Sequence, residues 1–175
     1  ATGNLDGAVI TVQNCDIQEW SGVCIKSDTN SASTLLIVRN NRFIGRNTVT
    51  TNSITDTQVD LLYFKDNWVE GSCEKFFINR GSITIESMSG VPFTSTPNCT
   101  WIENSGFDAV VNTSRLGGEP GARTIIRNLV GPGGTNVNRV SITDNQVYCG
   151  NFPVCYFQDI PDVFIMTGNN GFTGS

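Results

Sequence analysis

A phrase recurs along this chain without ever repeating literally. It is a short apolar alternation, then a polar pair ending in Asn, then an apolar or aromatic residue. Val9-Ile10-Thr11-Val12-Gln13-Asn14 and Leu35-Leu36-Ile37-Val38-Arg39-Asn40-Asn41-Arg42-Phe43 are two copies. Leu61-Leu62-Tyr63-Phe64-Lys65-Asp66-Asn67-Trp68 and Trp101-Ile102-Glu103-Asn104-Ser105-Gly106-Phe107 follow. Val140-Ser141-Ile142-Thr143-Asp144-Asn145-Gln146-Val147 and Val163-Phe164-Ile165-Met166-Thr167-Gly168-Asn169-Asn170 complete the series. A fixed-period repeat restricts the architecture before any single residue is interpreted.

The spacings are those of a coil. Asn14 to Asn41 is 41 − 14 = 27 residues and Asn41 to Asn67 is 67 − 41 = 26. Asn67 to Asn104 is 104 − 67 = 37 and Asn104 to Asn145 is 145 − 104 = 41. Each of these longer steps leaves room for two short coils, with weaker phrases at Ser82–Ser87 and Arg123–Asn128 between them. A strand of about five residues spans about 17 Å and cannot bury an apolar face alone. Stacked about 4.8 Å from an equivalent strand, it forms a parallel ladder with a continuous core. The sharp turn after each strand explains the Asn, which tolerates the left-handed backbone region better than other residues with a side chain. Asn side chains at one level can also bond into a row along the axis.

The pattern apolar-x-apolar-x-x-Asn-x-apolar resembles the coils of the right-handed parallel β-helix superfamily. That group holds pectate lyases, related polysaccharide-degrading enzymes and bacteriophage spikes. The resemblance spans about residues 8 to 173 and implies one all-β, single-stranded right-handed parallel β-helix over residues 1–175. The expected solenoid has about seven coils and is roughly 35 Å long at about 4.8 Å per coil. Leucine-rich repeats share the period, but their Leu-x-x-Leu-x-Leu phrase and helical returns are absent.

Composition narrows the function classes. The net charge is −5, with no basic stripe to collect phosphates, so nucleic acid is not an expected partner. No apolar run approaches the roughly 18 residues of a membrane span. The first residues, Ala1-Thr2-Gly3-Asn4-Leu5-Asp6-Gly7, do not read as a signal peptide. A small first residue fits removal of an initiator Met, so the chain reads as complete.

The six cysteines are Cys15, Cys24, Cys73, Cys99, Cys149 and Cys155. They are read mostly as buried thiols, small apolar residues of a β-helix core. Three disulfides, with Cys15/Cys24 and Cys149/Cys155 as short loops, are the alternative. Zinc is not expected, since no Cys-x-x-Cys and no His is present.

Polar segments at 45–58, 88–99, 112–122 and 131–138 read as loops between coils. Neither terminus offers a helix to cap the exposed strand edges, so neighbouring chains are expected to cover ends and flanks. The phage spikes that the chain resembles are homotrimers, which implies a homotrimer here.

Without His, Ser-His-Asp and Cys-His chemistry fall away. Carboxylate catalysis remains, and Asp66, Glu103 and Asp144 all stand just before a turn Asn. If one coil separates each from the next, neighbours lie about 10 Å apart, just beyond the roughly 6.5 to 9.5 Å of an inverting glycosidase. Asp-Asn is also ordinary turn chemistry. Asp159-Ile160-Pro161-Asp162 is too sparse for the Ca²⁺ site of a uronate lyase. No catalytic residue, cofactor or metal ligand is therefore assigned. Trp20, Trp68 and Trp101 are candidates for stacking on sugars, against the alternative of core packing. Asn98-Cys99-Thr100 and Asn112-Thr113-Ser114 match the glycosylation pattern.

The expected function is that of a virion structural protein: a trimeric β-helical spike or capsid-decorating protein. It would be made in the host cytoplasm and sit at the virion surface on capsid or tail proteins. The alternative is a tailspike domain that binds or degrades host surface polysaccharide. An extracellular adhesin fragment is a third reading.

Overall fold

The computed structural model describes residues 7–20, 22–27, 34–45, 53–71, 73–92, 98–116, 122–128, 139–148, 154–158 and 160–172. Its twenty strands fall into six triplets and a final pair. The first triplet is β1 (Val9–Gln13), β2 (Asp16–Trp20) and β3 (Val23–Lys26). The second is β4 (Leu35–Arg39), β5 (Arg42–Gly45) and β6 (Ser53–Thr57). The third is β7 (Leu61–Lys65), β8 (Trp68–Gly71) and β9 (Lys75–Asn79). The fourth is β10 (Ser82–Glu86), β11 (Ser89–Pro92) and β12 (Asn98–Asn104). The fifth is β13 (Asp108–Asn112), β14 (Arg115–Leu116) and β15 (Ala122–Asn128). The sixth is β16 (Arg139–Thr143), β17 (Gln146–Tyr148) and β18 (Cys155–Phe157), and the pair is β19 (Val163–Thr167) and β20 (Asn170–Phe172).

Each strand pairs in parallel with its counterpart in the next coil. Sheet A runs β1-β4-β7-β10-β13-β16-β19, sheet B runs β2-β5-β8-β11-β14-β17-β20, and sheet C holds β3-β6-β9-β12-β15-β18. This is a right-handed parallel β-helix, and no helix occurs among the described residues. The register keeps chemistry in rows. Leu36, Leu62, Ile83, Ala109 and Val140 stack inward, as do Val38, Phe64, Ile85, Val111 and Ile142.

Aromatic rings tie the three sheets together. Trp20, Phe43, Phe64 and Phe77 form an edge-to-face chain with successive centroid distances of 6.2, 5.7 and 4.8 Å. Phe76 stacks on Trp101 at 4.3 Å. Gly90 gives that indole its room, since a Cβ there would lie 2.3 Å from the ring.

Three segments read as loops contain strands. Residues 45–58 hold β6, 88–99 hold β11 and the start of β12, and 112–122 hold β14. These strands carry Thr, Ser, Gly and Pro, and a short strand buried beside neighbours needs no alternation to form. The segment 131–138 lies outside the described residues.

Candidate functional site: a polar groove along the corner between sheets A and B

At this corner each coil turns in two residues, and the two divide the work. The first adopts the left-handed conformation: Asn14, Asn40, Asp66, Ser87, Thr113, Asp144 and Gly168 all have φ between 45° and 66°. The second points inward and forms a row: Cys15, Asn41, Asn67, Met88, Ser114, Asn145 and Asn169. Asn67 Oδ1 accepts the Asn41 N–H at 2.8 Å, and Asn67 Nδ2 donates to the Val38 carbonyl at 2.9 Å. Asn145 repeats the pattern with the Ser114 N–H at 2.8 Å and the Val111 carbonyl at 3.0 Å. Ser114 substitutes its hydroxyl, which accepts the Met88 N–H at 3.1 Å. The Asn expected to supply the turn is thus mostly the buried residue beside it, and the residue before it takes the strain.

Because the turns are tight, the corner is slightly concave. A shallow depression of about 500 Å³ opens over the first three coils between Asn40, Arg42, Asp66 and Trp68. A second, of about 340 Å³, opens over coils four to six beside Ser87, Thr113, Arg115 and Asp144. Trp68 is 43% exposed on the wall of the first, its Nε1 donating to Glu70 at 3.5 Å. Arg42 faces Asp16 at 3.6 Å.

On the sheet A side of the corner, equivalent positions pair across coils. Arg39 Nε donates to Gln13 Oε1 at 2.9 Å. Glu86 accepts from the Tyr63 hydroxyl and from Lys65 Nζ, the latter at 3.1 Å. The bond from Tyr63, followed by that from Lys65, holds the Glu86 carboxyl below its ordinary pKa. Glu86 in turn raises the Lys65 ammonium and the Tyr63 phenol above theirs. None of these pairs was singled out from the sequence. The signal was present, because Gln13 and Arg39 are 39 − 13 = 26 residues apart, one coil.

The three carboxylates do not share one corner. Asp66 and Asp144 lie in the same row but three coils apart, about 14 Å at about 4.8 Å per coil. Glu103 is on the outer face of sheet C, bound to Lys75 at 2.8 Å. Its phrase ends in Asn104, which belongs to a different row. Asn79 Nδ2 donates to Asn104 Oδ1 at 2.7 Å, and Asn104 Nδ2 donates to Asn128 Oδ1 at 3.1 Å. The expectation of evenly spaced carboxylates therefore merged two corners. The irregular spacings of 37 and 41 residues mark that merger.

Of the tryptophans, Trp101 is buried, Trp20 packs partly buried against the core, and Trp68 alone is exposed. Cys15, Cys24, Cys73, Cys99 and Cys155 are free thiols, while Cys149 lies outside the described residues. Cys73 and Cys99 are buried and Cys15 is exposed. Burial pushes the Cys73 thiol far up, so it stays protonated. Asn112 is half-buried at the end of β13, and the side chain of Asn98 lies outside the described residues. Asp159 is likewise outside them, and Asp162 is exposed. Among the described residues no three Cys, Asp or Glu side chains gather into a metal site, and no helix is long and apolar enough to cross a membrane. Compared with known protein families, curated proteins and solved structures, the chain matches none.

Proposed function

We propose that this chain is a structural rod of a virus particle, a homotrimeric β-helical spike or capsid-decorating protein standing on capsid or tail proteins at the virion surface. The observation that carries this reading is a contrast between two outer faces. The outer face of sheet C is charged, with Lys26, Asp56, Glu103 and Arg127 in one row. The outer face of sheet A over the first three coils is apolar. Val9, Leu35 and Leu61 form one column, and Ile37 and Tyr63 lie beside it. A solvated sheet face is ordinarily polar, and an apolar one suits lateral contact with another chain. Three such faces meeting around an axis would give the trimer.

Sedimentation equilibrium tests the assembly. A trimer has a mass of 3 × 19.0 = 57.0 kDa. Leu35→Lys combined with Leu61→Lys should return it to monomer with the fold intact. A wild-type monomer at micromolar concentration sinks the trimer. The particle is tested separately: the protein should co-purify with virions in stoichiometric amounts, and failure to do so removes the virion reading.

Trp68 supports a second reading, contact with host surface glycan. An exposed indole beside Arg42, Asp66 and Asn40 offers a stacking face and hydrogen-bonding groups to a sugar. Titration with bacterial surface polysaccharides should quench tryptophan fluorescence, and Trp68→Ala should abolish the response. Unchanged quenching in that variant removes the groove from consideration. Loss of polysaccharide viscosity on incubation, abolished by Asp66→Asn, would move the reading from binding to cleavage.

A further inference from the structure

We infer that the two ends of the solenoid are complementary and that a second copy of this chain stacks head to tail on the C-terminal end, continuing the three parallel sheets across the junction.

The C-terminal end presents an open core. Phe164 and Met166 sit in the inward rows, directly after Val140 and Ile142. Those two are 0% exposed, whereas Phe164 is 46% and Met166 47% exposed. Val163 and Ile165 are exposed beside them on the same strand. β19 therefore lacks the coil that covers every earlier strand of sheet A. Its sequence, Val163 to Thr167, holds no charge and no Pro, the usual devices that keep an edge strand from pairing.

The N-terminal edge of the same sheet has matching chemistry. β1 also spans five residues, is free of charge and Pro, and has Val9 65% exposed. Ile10 and Val12 are only partly buried. In the register that every coil pair uses, Val163 would meet Val9, Phe164 would meet Ile10, and Met166 would meet Val12. Apolar residues oppose apolar residues at all three.

The corner hydrogen bonds set the polarity of the junction. Within the chain, the N–H of each left-handed residue donates forward to the last carbonyl of the next sheet A strand. Asn40 donates to Lys65, Asp66 to Glu86 and Asp144 to Thr167, at 3.2, 3.0 and 3.0 Å. The first sheet B residue donates backward, as Arg42 does to Cys15 at 2.9 Å and Asn170 to Asn145 at 2.8 Å. Continuing the pattern leaves a Gly168 donor and an Asn169 acceptor at the C-terminal end. It leaves a Gln13 acceptor, met within the chain by the Cys15 thiol at 3.3 Å, and an Asp16 donor at the N-terminal end. Each end offers what the other needs. Pairing two identical ends would set donor against donor. The contact is therefore heterologous and extends into a rod instead of closing. It is axial, and it stands or falls separately from the lateral trimer proposed above.

Sedimentation velocity over a micromolar to near-millimolar series tests it on the full chain. The expected result is a sedimentation coefficient that rises with concentration, in multiples of the basic unit. Met166→Lys at one end and Ile10→Lys at the other should each weaken that growth by about 30-fold or more, the scale on which disrupting a buried interface anchor acts. Mixing the two variants leaves one competent junction, so the mixture should form pairs of the basic unit and stop there. Ile165→Lys, on the outer row of β19, serves as a second blocked C-terminal end should Met166→Lys lose its strand circular dichroism. A sedimentation coefficient independent of concentration overturns the inference. So does growth that both end variants leave intact, which would assign association to the flanks, and so does a mixture that fails to pair.

Discussion

Two corners of this solenoid use asparagine, and they use it differently. Between sheets A and B the inward residue accepts a backbone N–H from the preceding coil and donates to a backbone carbonyl. That bond has one side-chain partner, so Ser114 can substitute through its hydroxyl and Met88 can interrupt the row. Between sheets C and A the bonds run from amide to amide. Asn79, Asn104 and Asn128 are each 0% exposed, and Asn104 serves a neighbour on both sides. A backbone-anchored row tolerates gaps, whereas a side-chain-to-side-chain row depends on every member.

The largest expected effect separates position from chemistry. Leu62→Asn buries an amide in an inward row of sheet A with no prepared partner, and urea unfolding should show a loss of about 4 kcal/mol. Met88→Asn introduces the same side chain at the same depth, but in the A–B row. There its Oδ1 would face the Asn67 N–H, and the loss should stay below about 1.5 kcal/mol. Equal losses would dissolve the distinction between row and core.

Asn104→Ala strands the Asn79 donor and the Asn128 acceptor, and should cost about 3 kcal/mol in the same assay. Asn67→Ala should cost visibly less. If Asn67 proved the costlier of the two, the ranking of the corners would be reversed.

Thr57 stands one coil before Asn79 in the C–A row. The Thr57 hydroxyl and Asn79 Oδ1 are buried without a hydrogen-bond partner among the described residues. Thr57→Asn would supply the missing donor and should stabilise by about 1 kcal/mol, read as a raised urea midpoint. A loss of stability would show that the row ends there for steric reasons.

The smallest effect concerns the outward half of the A–B turn. Thr113 holds φ 45° although it is β-branched. Thr113→Asn should raise the thermal midpoint, with a gain of about 0.5 kcal/mol. An unchanged or lowered midpoint would mean that the strain is offset elsewhere.

The sheet A phrases were legible in the sequence, because five-residue strands with two inward apolar residues leave a periodic trace. β1, β4, β7, β16 and β19 each lie within one. Sheet B was not. β14 is two residues long, and β11 consists of Ser, Gly, Val and Pro, too little for any alternation to register. The coil at β13 was missed because Asn112, Thr113 and Ser114 replace the Asn-ended signature. The groove was legible only in part. Trp68 was singled out beside two tryptophans that pack inward, and nothing local distinguishes an indole at a strand start from one seated over Gly90.

Side-chain amide hydrogen exchange, followed by NMR, tests the division of labour most directly. Asn40 and Asn41 are adjacent in sequence. Asn40 is the exposed, left-handed half of its turn, while Asn41 is 3% exposed and donates to Val12 and Asn67. The Asn41 Nδ2 protons should exchange slower than those of Asn40 by orders of magnitude. Equal rates at the two residues would contradict the corner rows from which the whole fold is read.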